Sequence, residues 1–336
     1  MIRKNKEQKI LVTGAAGFIG SYLVDKLLID GYNVVGLDNL RNGKLDNLKH
    51  AQSSTNFSFI KGDILKKKDI NTAMKSIDVV YHLACLGVRN SIHSPFENHR
   101  VNAEGTIMVL EAARQENVKK FFYISTSEIY GRAMSFPIKE TDIAYPLTVY
   151  GASKLVGEHY TNSYHECYGL DTTVLRIFNN YGPRAHYEGD CGEIIPRSVV
   201  KIIYGENPVI FGDGMITRDF FFVKDTAKLL CSLIDYDNLT GETINVGTGV
   251  EINMKDLLQK IVKLMPQYDA EVEFLPPRPA DVPRLWVDNS KLNSLIQLDN
   301  GVDFETGLKE TLDFYIELSK EKDLVSDLIL YNWKSK

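Results

Sequence analysis

Up to Phe178 the chain switches repeatedly between two hydrophobic periods. Runs rich in β-branched and aromatic residues occur at Lys9 to Thr13, Asn33 to Asp38, Phe57 to Lys61, Val79 to Ala84, Lys120 to Thr126 and Thr172 to Phe178. Between them, apolar residues recur at helical spacing near Phe18 to Asp30, Lys68 to Lys75, Phe96 to Glu116 and Val149 to Tyr168. Short β-branched runs separated by helices are the pattern of a parallel sheet covered on both faces. Right-handed crossovers then make the expected fold class α/β, with a doubly wound parallel sheet.

After Phe178 this rhythm breaks, with Gly182, Pro183, Gly189, Gly192 and Pro196 close together and a proline-rich stretch from Leu275 to Pro283. A second, smaller unit begins here, and 336 residues leave room for it. Asp219 to Val223, a helix through Ile234, and Glu242 to Gly247 read as material returning to the first sheet. The units are therefore expected to interleave, residues 1–178 with about 219–247 forming one, and 179–218 with 248–336 forming the other. Phe304 to Ser319 and Lys322 to Trp333 read as closing helices that pack without chemistry.

The first strand ends in Gly14-Ala15-Ala16-Gly17-Phe18-Ile19-Gly20, and a helix bearing Leu23, Leu27 and Leu28 follows. Glycine is needed where backbone closely approaches a pyrophosphate, and the helix N-terminus offers N–H groups and a positive dipole to it. Glycines also make ordinary strand-to-helix turns, but the place of this one, after the first strand, favours a Rossmann nucleotide site. Asp38 ends the second strand, where a carboxylate accepts from a ribose 2′-OH and repels a 2′-phosphate, so the expected cofactor is NAD rather than NADP. Gly62-Asp63-Ile64 and Leu83-Ala84 end the third and fourth strands, at the edge where a dinucleotide lies. Asp63 can pair with an adenine amino group or cap the turn after it. His82 reads as a packed strand residue, and no metal site is predicted.

Tyr150 and Lys154, in Tyr150-Gly151-Ala152-Ser153-Lys154, stand four apart on one helix whose apolar stripe is Ala152, Leu155, Val156, Tyr160 and Tyr164. A phenol is a poor base at neutral pH, and a neighbouring ammonium draws its pKa toward the working range. The pair alone is an ordinary surface pattern. The strand before it changes the weighting, because it delivers Ser125, Thr126, Ser127 and Glu128 to the same sheet edge.

Charge and cysteine narrow the function classes. With 39 Lys and Arg against 44 Asp and Glu, the net charge of −5 gives no overall field to gather nucleic acid or an anionic membrane. Cys85, Cys167, Cys191 and Cys231 are too dispersed for a zinc or redox pair. The N-terminal stretch lacks the apolar core of a signal peptide, and no run approaches the ~20 residues of a membrane span, so the expected location is the cytoplasm.

Taken in order from Lys9 to Lys291, TGAAGFIG, LDN, GDI, HLA, STSEIYG, YGASK, FNNYGPR, FGDGMITRDFFFVKD and RPADVPRLWVDNSK resemble the extended branch of the short-chain dehydrogenase/reductase family. Within it they are similar to nucleotide-sugar epimerases and dehydratases. The resemblance implies an NAD-binding Rossmann unit and a smaller nucleotide-sugar-binding one. It sets Gly14, Gly17 and Gly20 at the NAD pyrophosphate, Asp38 at its adenosine ribose, Asp63 and Ile64 at its adenine, and counts Phe18, Ile19, Asn39, Leu83 and Ala84 among the cofactor-binding residues. It makes Tyr150 the base at the sugar C4 hydroxyl, Lys154 its partner and a nicotinamide-ribose ligand, and Thr126 a hydrogen-bond donor to the C4 oxygen. Asn179 and Arg218 match positions at the nucleotide phosphates. Arg278 and Asp281 match positions at the diphosphate and nucleoside sugar, or form a structural ion pair in their proline-rich loop. Two helices, Phe96 to Glu116 and Val149 to Tyr168, imply a homodimer built on a four-helix interface.

Members of the family share oxidation at C4 and differ afterwards. Simple 4-epimerases carry small or neutral residues after the catalytic hydroxyl, whereas here Ser127 and Glu128 follow it. Oxidation at C4 acidifies the C5 proton, and a carboxylate there can remove it as the C6 hydroxyl departs. Elimination of water is the favoured expectation, with Ser127 or a bound water as acid. In the alternative, Glu128 only positions a hydroxyl in a 4-epimerase. UDP-glucuronate decarboxylation ranks behind both, and a non-enzymatic NAD-binding module is disfavoured by Thr126, Tyr150 and Lys154 occurring together.

Overall fold

The computed structural model describes residues 7–297 and 301–334. Its strands are β1 Lys9–Thr13, β2 Asn33–Asp38, β3 Phe57–Lys61, β4 Val79–His82, β5 Lys120–Thr126, β6 Thr172–Ile177, β7 Asn179–Tyr181, β8 Val209–Phe211, β9 Thr217–Arg218, β10 Phe220–Phe222, β11 Thr243–Val246, β12 Ile252–Asn253 and β13 Glu273–Leu275. Seven make one parallel sheet in the order β11-β6-β5-β4-β1-β2-β3. The chain starts in the middle at β1, winds outward to β3, then crosses back to β4. The crossovers diverge between β1 and β4, which opens a crevice at the carboxyl ends of those strands.

Residues of period two supply two cores, one on each face. From β1, Ile10 and Val12 join Leu23, Val24 and Leu27 of helix Phe18–Ile29 and Leu229 and Leu230 of helix Val223–Ser232. On the other face Leu11, Val80 and Phe121 meet Ile70, Val109 and Leu110 from helices Lys67–Ala73 and Gly105–Gln115. A third core lies outside the sheet, where helices Ile194–Ile203, Met254–Leu264 and Phe304–Glu321 enclose Val199, Leu258 and Leu312.

The returning segment is split. Thr243–Val246 joins the main sheet beside β6, but Phe220–Phe222 pairs with Asn179–Tyr181 in a separate two-stranded sheet. Its phenylalanines explain this, since Phe220 and Phe222 bury themselves in the third core. The expected helix from Lys322 to Trp333 is also absent. A single 3-10 turn at Val325–Asp327 interrupts irregular chain, because Arg197 Nη2 donates to the Ile329 and Leu330 carbonyls at 2.7 and 3.1 Å and satisfies them without a helix.

Phe96 to Glu116 forms a helical run from Pro95 to Gln115, but Arg100–Glu104 is a π-turn. Asn98 and Asn102, four apart on one face, hold the same loop: both side-chain amides donate to the Leu86 carbonyl, at 3.2 and 2.9 Å, and Asn102 Oδ1 accepts from Leu86 N at 2.8 Å. Helix Val149–Tyr168 begins where the Thr148 hydroxyl accepts from Gly151 N at 3.1 Å and ends at left-handed Gly169. Its buried face is Gly151, Ser153, Lys154, Gly157, Glu158, Thr161 and Tyr164, so of the apolar stripe read from the sequence only Tyr164 is buried. Polar partners claim that face: the Asn102 amide donates to Ser153 Oγ at 3.2 Å, and Glu158 meets Arg176 of β6. Among the described residues no helix is long and apolar enough to cross a membrane.

Candidate active site

The carboxyl ends of β1 to β6 and the loops of the third core line a cavity of about 850 Å³. Its first wall is the glycine turn. Gly14 adopts φ +70°, and a Cβ on Gly20 would stand 2.1 Å from the Gly14 carbonyl oxygen, so only glycine lets the helix start that close to the strand end. Asp38 holds the turn from the next strand, with Oδ2 accepting from Ala16 N at 3.0 Å and Oδ1 from Leu40 N at 2.8 Å. Burial raises its carboxyl, and those two backbone bonds offset only part of the rise. A glycine cradle at a helix N-terminus, with a carboxylate at the next strand end, fits the pyrophosphate and ribose of a dinucleotide.

Gly17, Phe18, Ile19, Asn39, Asp63, Ile64, Leu83 and Ala84 line the same wall. Of the two roles open to Asp63 from the sequence, capping is visible: Oδ1 accepts from Leu65 N at 2.9 Å. His82 is buried at the end of β4 between the Thr13 and Thr106 hydroxyls, at 2.8 and 3.1 Å.

Thr126 ends β5 and caps the 3-10 turn Ser127–Ile129 by accepting from Glu128 N at 3.2 Å, which turns Glu128 toward the cavity. The helix carrying Tyr150 packs against this turn so closely that a Cβ on Gly151 would lie 2.7 Å from the Glu128 carbonyl oxygen. Thr126, Ser127, Glu128 and Tyr150 all line the cavity. Burial pushes the Glu128 carboxyl up; Arg218 opposes this and Asp281 adds to it. Burial also raises the Tyr150 phenol well above its usual value, with the Cys85 thiol adding to this and a Thr126 hydrogen bond opposing it.

Lys154 is the one predicted site residue that does not line the cavity. Its ammonium donates to the Ile124 carbonyl at 2.6 Å and lies 4.2 Å from the Tyr123 ring centroid. Burial lowers its pKa. The four-residue spacing puts Tyr150 and Lys154 on neighbouring turns, and one of the three donors of the ammonium goes to the strand carbonyl. The leading influence on the phenol is burial rather than Lys154.

Opposite stand Asn179, Arg218, Arg278 and Asp281. Asp281 takes both arginines, accepting from Arg218 Nη2 at 3.3 Å and from Arg278 Nε at 3.0 Å. The ion pair and the cavity position thus coexist. Asn179 Oδ1 is buried without a protein partner. Sequence reasoning missed Arg89 and Glu193, which line the cavity and pair with each other at 3.1 Å. Burial raises the Glu193 carboxyl, but Arg89 together with Arg278 and His186 outweighs it and the net shift is downward. Nothing local marks either residue, since they are 104 positions apart and meet only through the fold.

The model of the GDP-mannose 4,6 dehydratase family matches residues 11–311. UDP-glucose 4-epimerase of Mycolicibacterium smegmatis is 37% identical over 91% of this chain and 98% of its own length. The structure of UDP-glucuronic acid 4-epimerase from Bacillus cereus, in complex with UDP-glucuronic acid and NAD, superposes with a TM-score of 0.87 at 34% identity, covering 93% of this chain and all of that one. The dTDP-glucose 4,6-dehydratase DesIV of Streptomyces venezuelae, solved with NAD bound, gives a TM-score of 0.88 at 28% identity over 94% and 98% of the two chains. Glycine turn, strand-end hydroxyl, tyrosine helix and paired arginines occur together along a match of this length, and the chain belongs to the GDP-mannose 4,6 dehydratase family of extended short-chain dehydrogenase/reductase enzymes.

Proposed function

We propose that the protein is an NAD-dependent nucleotide-sugar 4,6-dehydratase, which oxidises C4 of a nucleoside-diphosphate hexose and then removes water across C5 and C6. The carrying observation is Glu128, a carboxyl held in the cavity by a turn that Thr126 caps, against the helix of Tyr150. Gly14, Gly17, Gly20 and Asp38 would hold the pyrophosphate and ribose of NAD. When bound, NAD⁺ supplies the oxidant at C4, returns the two electrons to C6 after water has left, and as a cation favours the ionised phenol.

Tyr150 takes the C4 hydroxyl proton while Thr126 donates to the C4 oxygen. Glu128 then takes the C5 proton, which the new carbonyl has acidified, the C6–O bond breaks as Ser127 or a water protonates the departing hydroxyl, and Glu128 returns a proton to C5 when C6 is reduced. Burial helps here, since a carboxylate with a raised pKa is a better proton acceptor. Asn179, Arg218, Arg278 and Asp281 are assigned to the nucleotide half, with the orphaned Asn179 oxygen open to a hydroxyl donor.

A second reading, 4-epimerisation, is supported by the likeness to the M. smegmatis epimerase. Purified protein incubated with UDP-, GDP-, CDP- and dTDP-sugars separates the two: loss of 18 mass units means dehydration, and unchanged mass with altered retention means epimerisation. Wild type should take up solvent deuterium at C5 and Glu128→Gln should not; no uptake in wild type favours the positioning role, and unchanged uptake in the variant removes Glu128 as the C5 base. A homodimer belongs to the same proposal. Phe96 and Val149, 86% and 38% exposed on the two helices, give it apolar surface.

A further inference from the structure

Residues 322–334 lie outside the stretch matched by the family model, yet they reach the cavity. The segment is tied down along its length. Lys322 Nζ meets Asp327 at 2.7 Å and the Tyr187 hydroxyl at 3.2 Å, Leu324 N donates to the Tyr204 hydroxyl at 2.9 Å, and Arg197 holds the Ile329 and Leu330 carbonyls. The Asn332 amide then donates to the Gly192 carbonyl at 3.4 Å. This path delivers Trp333, 7% exposed, into the cavity wall.

There the indole meets Phe211 edge-on, centroids 4.7 Å apart at 88°. The Arg278 guanidinium carbon lies 5.6 Å from the Phe211 centroid and 6.0 Å from that of Trp333, while its Nε and Nη2 stay on Asp281. Two rings and a carboxylate thus fix one guanidinium at the cavity. Val209, Ile210 and Met254 line the same end and offer no side-chain polar group. Against Phe211, Trp333 and these apolar side chains a planar base loses little hydration and gains contact area. Positive charge is crowded nearby: burial together with Arg89 and Arg278 lowers Arg197 to about 10. That crowding suits a diphosphate joined to the base.

We propose that Trp333, carried in by the C-terminal segment, is a nucleotide-recognition residue that walls the base site beside Phe211 and holds Arg278 toward the diphosphate. This rests on the nucleotide-sugar reading above. Such a residue acts on binding, because the base is remote from the carbon that reacts.

The test is calorimetric titration of the NAD-loaded full chain with UDP, GDP, CDP and dTDP, using wild type, Trp333→Ala and Trp333→Phe. Trp333→Ala should weaken the nucleotide that wild type binds by about tenfold, and Trp333→Phe by less than about threefold, with NAD affinity unchanged in both. Turnover should show the Trp333→Ala loss in KM and leave kcat in place. Equal nucleotide affinity in Trp333→Ala and wild type would overturn the proposal, as would parallel loss of NAD affinity or a loss as large in Trp333→Phe. If wild type binds none of the four nucleotides, the nucleotide-sugar reading itself falls.

Discussion

Beneath Thr126 and Lys154 lies a buried charge pair whose loss should be severe. Glu158 and Arg176 have side chains only 3% and 11% exposed. The carboxylate accepts from Arg176 Nε at 3.1 Å and Nη2 at 2.8 Å, and from the Ser125 hydroxyl. Arg176 Nη1 goes on to the Tyr130 hydroxyl at 2.8 Å and the Glu140 carbonyl at 3.1 Å. Glu158→Gln removes the negative charge and turns an amide NH₂ toward guanidinium donors. A full positive charge then stays buried without its counter-ion, which costs about 3–5 kcal/mol. For a chain of this size that is a fall in Tm on the order of 10 °C. The double variant Glu158→Leu with Arg176→Met removes both charges and should recover most of the loss, since an apolar pair of similar volume is often neutral. Chemical denaturation followed by circular dichroism measures both. A single-variant cost below about 1 kcal/mol, or a double variant no more stable than the single, would refute the reasoning.

Three other outcomes are expected. Gly20→Ala should weaken NAD binding by more than about tenfold in a calorimetric titration, since the added methyl would sit 2.1 Å from the Gly14 carbonyl oxygen, a backbone atom that cannot turn aside; wild-type affinity would contradict the cradle. Because burial raises Glu128 and a base must be ionised, kcat should climb through an acid limb above the ordinary glutamate value of 4.5, and a limb at or below 4.5 would remove its role. A carboxyl raised by folding favours the protonated fold, so its contribution to stability is present at low pH and fades as pH rises through the raised value. Thr148→Ala removes the cap on Gly151 N and should lower stability by about 1 kcal/mol in the same denaturation assay, with no loss predicting that water replaces the hydroxyl.

The sheet half was legible because its signals are local. Lys9–Thr13, Asn33–Asp38, Phe57–Lys61 and Lys120–Thr126 have the ends that the β-branched runs suggest, and helix Val149–Tyr168 starts and stops at its own Thr and Gly. The glycine turn and Thr126 to Glu128 were legible for the same reason, each lying at a strand end. What escaped depends on partners far away in sequence. The path after Lys322 is set by Arg197, more than 130 positions upstream, and the fate of Phe220–Phe222 by a core that only the folded chain assembles. For Lys154 the spacing shows its turn of the helix beside Tyr150, whereas its contact with the Ile124 carbonyl depends on the strand packed against that helix.

The π-turn at Arg100–Glu104 bears on how this chain tolerates length changes. Deleting one residue there would restore ordinary helical bonding and leave a backbone with nothing visibly wrong. It would also rotate everything downstream by about 100° relative to Asn98. Val109, Leu110 and Ala113 would swing off the sheet while Asn98 kept its grip on the Leu86 loop, or the reverse. The local repair would thus be a global injury, and a shortened copy of this helix should be harder to accept than one with several substitutions in the same five positions.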